Sequence, residues 1–170
     1  MPDDPNESII DILMVIDAET LLASGATGTA DAPAPVGADL IWLIVRSGNA
    51  VFGQGSKELK ITAKTMDTLR WRCTSMSLNA AYSGMLYKFF ALKGGSLISK
   101  PQPLDAQVTT PLPNPADPTQ PGAQTITSAF WSATVLAQGE VTYTFCFMIL
   151  DRTGKPLGYF KWDPFISITT

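Results

Sequence analysis

Short runs of apolar residues recur along the whole chain, and polar turn residues separate them. The runs are rich in Ile, Val, Thr, Phe, Tyr and Trp, whereas Gly, Pro, Asn, Asp and Ser fill the gaps between them. Branched and aromatic residues with this punctuation are typical of β-strands. The pattern therefore predicts nine strands, at residues 8–16, 39–46, 58–64, 67–75, 84–92, 127–137, 141–150, 157–162 and 165–169.

Side-chain alternation within single strands indicates which faces are buried. In "DTLRWRCTS", residues 67–75, Trp71 falls on an apolar face, and Arg70 and Arg72 fall on the opposite face. We expect Trp71 in the core and the two arginines in solvent. The run "VTYTFCFMIL", residues 141–150, becomes apolar on both faces midway, which is typical of a strand that is buried on both sides at one end.

Connections between the strands decide the fold class. "LAQGEVTY" and "DRTGKPLGY" are tight hairpins. Helical patterns are scarce. The stretches "DAETLLASGA" and "LNAAYSGMLY" are candidates for short helices, and Gly25 and Gly84 argue against longer ones. The sequence therefore predicts an all-β fold, an antiparallel, jelly-roll-like β-sandwich of about 8–10 strands with at most one or two short helices.

Two stretches do not fit the strand pattern and are predicted to be long surface loops, at about residues 24–38 and 100–125. The second carries seven of the thirteen prolines, so we expect it to stay out of a central sheet and to lie extended on the surface or to be partly disordered. Strands on both sides of each loop are needed to complete the sheets. We therefore expect residues 1–170 to form a single domain.

Charge and composition exclude several functions. The chain carries a formal charge of −3 and has a pI near 4.8, so it offers no cationic field for nucleic acid. It contains no histidine, which removes His-based triads and His-ligated metal sites. The apolar run at residues 9–16 is too short to span a bilayer and follows no cationic region. We expect no signal peptide, no membrane span and a cytoplasmic location.

Cys73 and Cys146 both lie in apolar, strand-like runs, where free cysteine behaves as a small hydrophobic residue. Two buried thiols are the expected arrangement. A disulfide between neighbouring strands is the alternative.

Acidic residues at the ends of predicted strands suggest a composite calcium site. The stretch "DRTGKPLGYFKWD" does not fit an EF-hand, because no acidic residue stands between Asp151 and Asp163, but calcium sites in sandwiches gather carboxylates from several loops. The acids at predicted strand ends are Asp17, Asp67, Asp151 and Asp163. Of these, the candidate metal ligands are Asp17, Asp67 and Asp163. The alternative is that these acids only cap turns in solvent.

Aromatic and amide side chains in predicted turns suggest a carbohydrate site, because a ring stacks on a sugar face while amides bond its hydroxyls. The candidate ligand-binding residues are Asn49, Gln54, Asn79, Tyr82, Trp162 and Asp163. Each is also a common turn residue or packed aromatic. We predict no catalytic residue, since "FGQGSKEL" lacks a following helix and no Gly-x-Ser-x-Gly elbow occurs. A hydrolase with two scattered carboxylates is the weakest alternative.

The C-terminal stretch "DRTGKPLGYFKWDPFISI", residues 151–168, predicts a hairpin followed by a corner. Residues 153–155 supply the turn, and Pro164 interrupts pairing before the last strand. Trp162 and Asp163 stand at that corner. They either pack and cap it or face a binding site.

Four stretches in this order resemble the AidA/PixA inclusion-body protein family of bacteria. The most specific parts of this resemblance are the Asp after the first apolar strand, the "DTLRWR" box and the terminal "GYFKWDP". The matching stretches cover just over half of the chain, at residues 9–22, 41–83, 130–152 and 157–168.

The resemblance implies a small, non-enzymatic β-sandwich protein of host-associated bacteria, abundant in the cytoplasm and in some members packed into inclusion bodies. It also implies links to quorum sensing, late growth and host interaction, and one branch resembles a dimeric glycan-binding lectin. Two hypotheses follow. The first is a homodimeric carbohydrate-binding module that uses calcium as an optional cofactor. The second is a structural or storage protein that assembles with itself and has no small-molecule ligand.

Overall fold

The computed structural model describes residues 8–162 and 166–169, and in this part of the chain strands dominate. Each of the nine predicted strands overlaps an observed one, and the all-β class is confirmed. Helix α1 spans Ala18–Ala23, where "DAETLLASGA" predicted it. The strands are β1 Ile9–Ile16, β2 Ala34–Pro35, β3 Ile41–Val45, β4 Ala50–Phe52, β5 Lys60–Thr62, β6 Thr68–Ser75, β7 Ser83–Lys93, β8 Gln102–Leu112, β9 Gly122–Thr134, β10 Glu140–Leu150, β11 Pro156–Lys161 and β12 Ile166–Thr169.

The strands form two sheets that face each other. The first sheet has the order β3-β1-β6-β9-β8. The second has the order β2-β11-β10-β12-β5-β4, and β7 pairs with the other edge of β10. Strands β11 and β12 follow one another along a single edge of β10, against Cys146–Leu150 and Glu140–Tyr143 respectively. The chain therefore passes from one half of this edge to the other between the end of β11 and the start of β12.

Strand β1 pairs in parallel with β6 over eight residues, from Ile9 opposite Thr68 to Ile16 opposite Ser75. Strands β2 and β11, and β5 and β12, are also parallel. The tight hairpins predicted antiparallel pairs between consecutive strands, whereas these parallel pairs join strands that are distant in sequence. As a consequence, the segments after β1 and β6 emerge at the same end of the sandwich.

The contact between the sheets centres on Trp71 of β6. Its side chain is 2 % exposed, as the alternation predicted. The indole Nε1 donates a hydrogen bond of 2.6 Å to the hydroxyl of Tyr143, and the two rings meet edge to face. Burial raises the pKa of Tyr143, so the phenol stays neutral. Phe145, Cys146 and Phe147 of β10 are all buried, which confirms that this strand is covered on both faces.

Arg70 and Arg72 lie on the outer face of the first sheet, as predicted, but they are half-buried rather than fully solvated. Both guanidinium groups lie over the ring of Phe130, at 5.2 and 5.0 Å from its centroid. Arg72 also donates a hydrogen bond to Asp11. Alternation within a single strand does not reveal this contact, because Phe130 lies on the neighbouring strand β9.

Cys73 and Cys146 form no disulfide, and Cys146 is buried while Cys73 is half-buried. The expected burial is therefore complete for Cys146 and partial for Cys73. The second helix candidate, "LNAAYSGMLY", instead forms a turn and the beginning of β7.

The prediction of a loop at residues 100–125 is wrong for most of this range, which forms a β-hairpin. Strands β8 and β9 pair without a register shift from Gln102 opposite Ser132 to Leu112 opposite Gly122. The prolines were compatible with this because β8 is the last strand of the first sheet, where a missing N–H on the outer side removes no ladder bond. The segment does lie extended on the surface. Residues 24–38 are irregular apart from β2 and the start of a 3₁₀ turn at residue 38.

Replacing the phenol that joins the two sheets should destabilise the fold. In Tyr143→Phe the indole N–H of Trp71 loses its acceptor while it remains buried, and we expect unfolding to become easier by about 1–3 kcal/mol. Urea denaturation measures this. The double variant Trp71→Phe, Tyr143→Phe, which lacks both hydrogen-bonding groups, should show a coupling energy between the two sites. A Tyr143→Phe variant as stable as the wild type would contradict this role.

Candidate functional site

Three of the predicted site residues meet at one end of the sandwich. Asp17 follows β1, and Asn79 and Tyr82 follow β6, so the parallel pairing brings them together. Strand β10 ends beside the start of β7, which adds Asp151 to the same end. We call this surface, made of Asp17, Asn79, Tyr82 and Asp151 with the residues around them, the Tyr82 end.

Two open depressions of about 410 and 470 Å³ lie at the Tyr82 end. Glu19 and Tyr82 line both of them. The first also has the side chains of Thr20 and Ser77, and the second has that of Arg152. Their volumes are in the range of small-ligand sites. The arrangement offers a half-buried aromatic ring with carboxyl, hydroxyl and guanidinium groups around it.

The predicted polar residues at this end also hold the backbone. Asp17 caps α1, since Oδ1 accepts from the Thr20 N–H at 3.0 Å and Oδ2 accepts from the Thr20 hydroxyl at 2.8 Å. Asn79, at a φ of +64°, accepts hydrogen bonds through Oδ1 from the N–H groups of Ser75 and Gly84, both at 3.1 Å. These two side chains therefore fix the turns after β1 and β6.

Asp151 organises the β10–β11 turn. Its Oδ1 accepts from the hydroxyl and the N–H of Thr153, at 2.6 and 2.8 Å, and from the N–H of Lys155 at 3.0 Å. These bonds, with the Thr153 hydroxyl as the largest cause, lower the pKa of the carboxyl. This is the turn that the sequence predicted at residues 153–155.

Asp67 lies at the opposite end of the sandwich and is 3 % exposed. Its carboxylate accepts from the N–H and hydroxyl of Ser8, at 3.2 and 2.9 Å, and from the N–H of Lys64 at 2.6 Å. It thereby ties the segment before β1 to the segment before β6. A buried carboxylate with this many donors is a structural group.

Three further predicted ligand residues, Asn49, Gln54 and Trp162, lie away from the Tyr82 end. Gln54 exchanges two hydrogen bonds with the backbone of Val45 and so extends the edge of β3. Asn49 donates from Nδ2 to the carbonyl of Thr62 at 3.2 Å. Trp162 is buried and donates from Nε1 to the carbonyl of Lys57 at 3.3 Å, so it packs at the corner. Asp163 is outside the described residues, and its predicted ligand and metal roles stay predictions.

Within residues 8–162 and 166–169, no three Cys, Asp or Glu side chains are grouped so that they could hold a metal ion. A calcium site that includes residue 163 stays a prediction. Over the same residues, no helix is long and apolar enough to cross a membrane.

A groove of about 350 Å³ opens where β9 leaves β6. The pairing of β6 with β9 ends at Trp71 opposite Trp131, and beyond that point the β8–β9 hairpin pairs with no other described strand. Phe130, Trp131 and Met85 line the groove, and Trp131 Nε1 donates to the carbonyl of Leu86 at 3.2 Å. Sequence reasoning missed this groove because it depends on the divergence of two paired strands.

Two long edge strands are the other feature that the sequence did not reveal. In the described part of the chain, β7 pairs only with β10, and β8 pairs only with β9. On β7, the N–H of Gly84 and the carbonyl of Leu86 already bond Asn79 and Trp131, whereas no further strand covers the outer edge of β8 in the described residues. Large apolar side chains are exposed on and beside both strands: Met85, Phe90, Leu92, Leu104, Leu112 and Ile126.

A solved protein structure has the same fold as this chain. A crystal structure of the inclusion body protein PixA from Burkholderia cenocepacia J2315 superimposes with a TM-score of 0.79 at 14 % sequence identity. The alignment covers 100 % of this chain and 99 % of that one. At this identity the likeness shows the fold alone. No curated protein sequence matches significantly.

The family assignment rests on the sequence itself. A model of the PixA family, described as inclusion body protein, matches residues 8–168. This range contains all four stretches that carried the resemblance. The chain belongs to the PixA family of inclusion body proteins.

Proposed function

We propose that this chain is a non-enzymatic bacterial protein that assembles with copies of itself into cytoplasmic inclusion bodies, where it serves a structural or storage role. The observation that carries this proposal is the long edge strand β8, whose outer side pairs with no other strand in the described residues. The family's description as inclusion body protein supports it.

Open edges favour association because their outward N–H and C=O groups can pair with another strand. Most proteins protect such edges with lysines, bulges or a covering loop. Strand β8 has no Lys or Arg and no register shift. Its outer edge can therefore accept a further strand.

Exposed apolar side chains add a driving force beyond backbone pairing. Leu104 on β8 is 50 % exposed, and Phe90 and Leu92 on β7 are exposed too. Covering such surface is favourable at roughly 25 cal/mol per Å². With a net charge of only −3, electrostatic repulsion between copies is small.

A charge placed on the edge should weaken assembly. We expect Leu104→Lys to shift sedimentation toward smaller species at every concentration, because the ammonium group would be buried between copies. Leu136→Lys is the matched control, since Leu136 is 51 % exposed and lies outside the strands. It should sediment like the wild type.

Light scattering at high concentration decides the proposal as a whole. Growth of the weight-average mass with concentration supports it. A wild-type chain that stays strictly monomeric overturns it.

Carbohydrate binding, with a role in host interaction, is the second candidate function. The observation that favours it is Tyr82, a half-buried ring between two depressions that carboxyl and hydroxyl groups line. A ring in this position can stack on a sugar while Glu19 and Ser77 bond its hydroxyls. Asp17 at the same end is the predicted residue best placed to add calcium dependence.

A glycan array tests this second function. We expect retention of a glycan by the wild type and its loss in Tyr82→Ala, with and without calcium. Phe52→Ala, which removes an exposed ring from β4, is the control that should leave retention unchanged. An array on which the wild type binds nothing in either condition argues against a lectin role.

A further inference from the structure

The prolines of β8 show which of its backbone groups point outward. Strand β8 pairs with β9 through an unbroken antiparallel register, in which Pro103 stands opposite Trp131 and Pro111 opposite Ala123. In such a ladder, alternate residues turn their N–H and C=O groups toward the partner and away from it. Proline has no N–H to give, so it fits the outward positions. Both prolines have odd residue numbers. The backbone N–H and C=O groups of the odd-numbered residues of β8 therefore point away from β9.

Between the two prolines, Asp105, Gln107 and Thr109 then present N–H and C=O groups to the outside. This short row ends at each side where a proline replaces the donor. Asp105 is the only charged residue of β8. The row is thus an open hydrogen-bonding edge of defined length.

Strand β7 is a poorer edge for regular pairing. Its register against β10 shifts twice, beside Cys146 and beside Thr142. It also carries Lys88, whose ammonium lies 4.9 Å from the Phe90 ring centroid, and Lys93, which pairs with Glu140 at 3.3 Å. Bulges and lysines of this kind keep edges from pairing.

The β8 edge is also accessible to a large partner. Within the described part of the chain, β9 pairs with β6 at residues 131–134, and its residues 122–130 pair only with β8. The hairpin thus extends past the body of the first sheet as a two-stranded arm. A second molecule can approach its outer edge without meeting β6.

We propose that two copies of this chain join through antiparallel pairing of β8 with β8, with a two-fold axis at Gln107. This inference rests on the proposed function and names the surface that begins the assembly. The register overlaps the whole segment between the prolines. Asp105 then faces Thr109 of the second copy, Gln107 faces Gln107, and each outward N–H meets a carbonyl. The two five-stranded sheets become one continuous sheet.

Side chains agree with this register on both faces. On one face Asp105 lies beside Thr109 of the other copy, so no like charges stand opposite each other. On the other face Ala106 lies beside Val108. The interface is therefore self-complementary, as a two-fold contact requires.

Gln107→Pro tests the pairing. Position 107 has the same parity as Pro103 and Pro111, so proline there should leave the β8–β9 ladder intact while it removes the central outward N–H. Gln107→Ser is the matched control, because both changes remove the hydrogen bond from Gln107 Nε2 to the Thr127 hydroxyl, 2.8 Å long. We expect sedimentation velocity to show the dimer for wild type and Gln107→Ser, and its loss for Gln107→Pro.

Cross-linking gives a readout that does not depend on the proline variant folding. In Gln107→Cys, a short bifunctional thiol reagent should join two chains, since the two thiols face each other across the axis. Thr125→Cys is the control, because it lies on the same hairpin but on β9, away from the edge. It should remain uncoupled.

The outcomes separate the two proposals. If the wild type assembles and Gln107→Pro assembles equally well, or if Gln107→Cys gives no cross-link, the β8 interface is wrong and self-assembly stands. If the wild type is monomeric throughout, both fall.

Discussion

The outermost strand of a sheet always keeps one row of backbone hydrogen-bonding groups that its own sheet cannot satisfy. In this protein that constraint applies most strongly to β8, which ends the first sheet without a covering element in the described residues. The two prolines limit the row without interrupting it. The architecture therefore leaves a short, regular edge available, and the proposed assembly follows from it.

The packing of the rest of the sandwich determines where the outer edge of β8 lies. The parallel β1–β6 pair forms the centre of the first sheet, and the hydrogen bond from Trp71 to Tyr143 fixes that sheet against the second. Strand β9 pairs with β6 only as far as Trp131 before it diverges. The β8–β9 arm and the groove beside it are both consequences of that divergence.

Several polar residues that suggested a binding site mainly hold this framework together. Asp17 caps a helix, Asn79 closes a turn, and Asp67 is a buried anchor for the segment before β1. Polar side chains at strand ends bond nearby backbone groups readily, so turn-forming and ligand-binding residues look alike in a sequence. Tyr82 is the predicted residue whose surroundings best suit a ligand, because it lies between the two depressions.

The sequence predicted features that depend on local pattern. Alternation placed Trp71 in the core, and the double-sided apolar run of β10 indicated a strand covered on both faces. It did not predict the β1–β6 pairing, because parallel partners are set by contacts across nearly sixty residues. The proline content of residues 100–125 predicted a loop. Pro103 and Pro111 are tolerated because β8 is an edge strand, and the edge position of a strand is a property of the assembled sheet. The Phe130–Trp131 groove was missed for the same reason.

Hydrogen exchange of the β8 amides, measured by NMR over a range of protein concentration, reports directly on whether β8 pairs with β8 of a second copy. If it does, the amides of Asp105, Gln107 and Thr109 exchange rapidly in dilute solution and become protected as concentration rises. The intervening amides of Ala106 and Val108 should be protected throughout, since they donate to β9. Outward amides that stay unprotected while the protein forms oligomers would contradict this pairing.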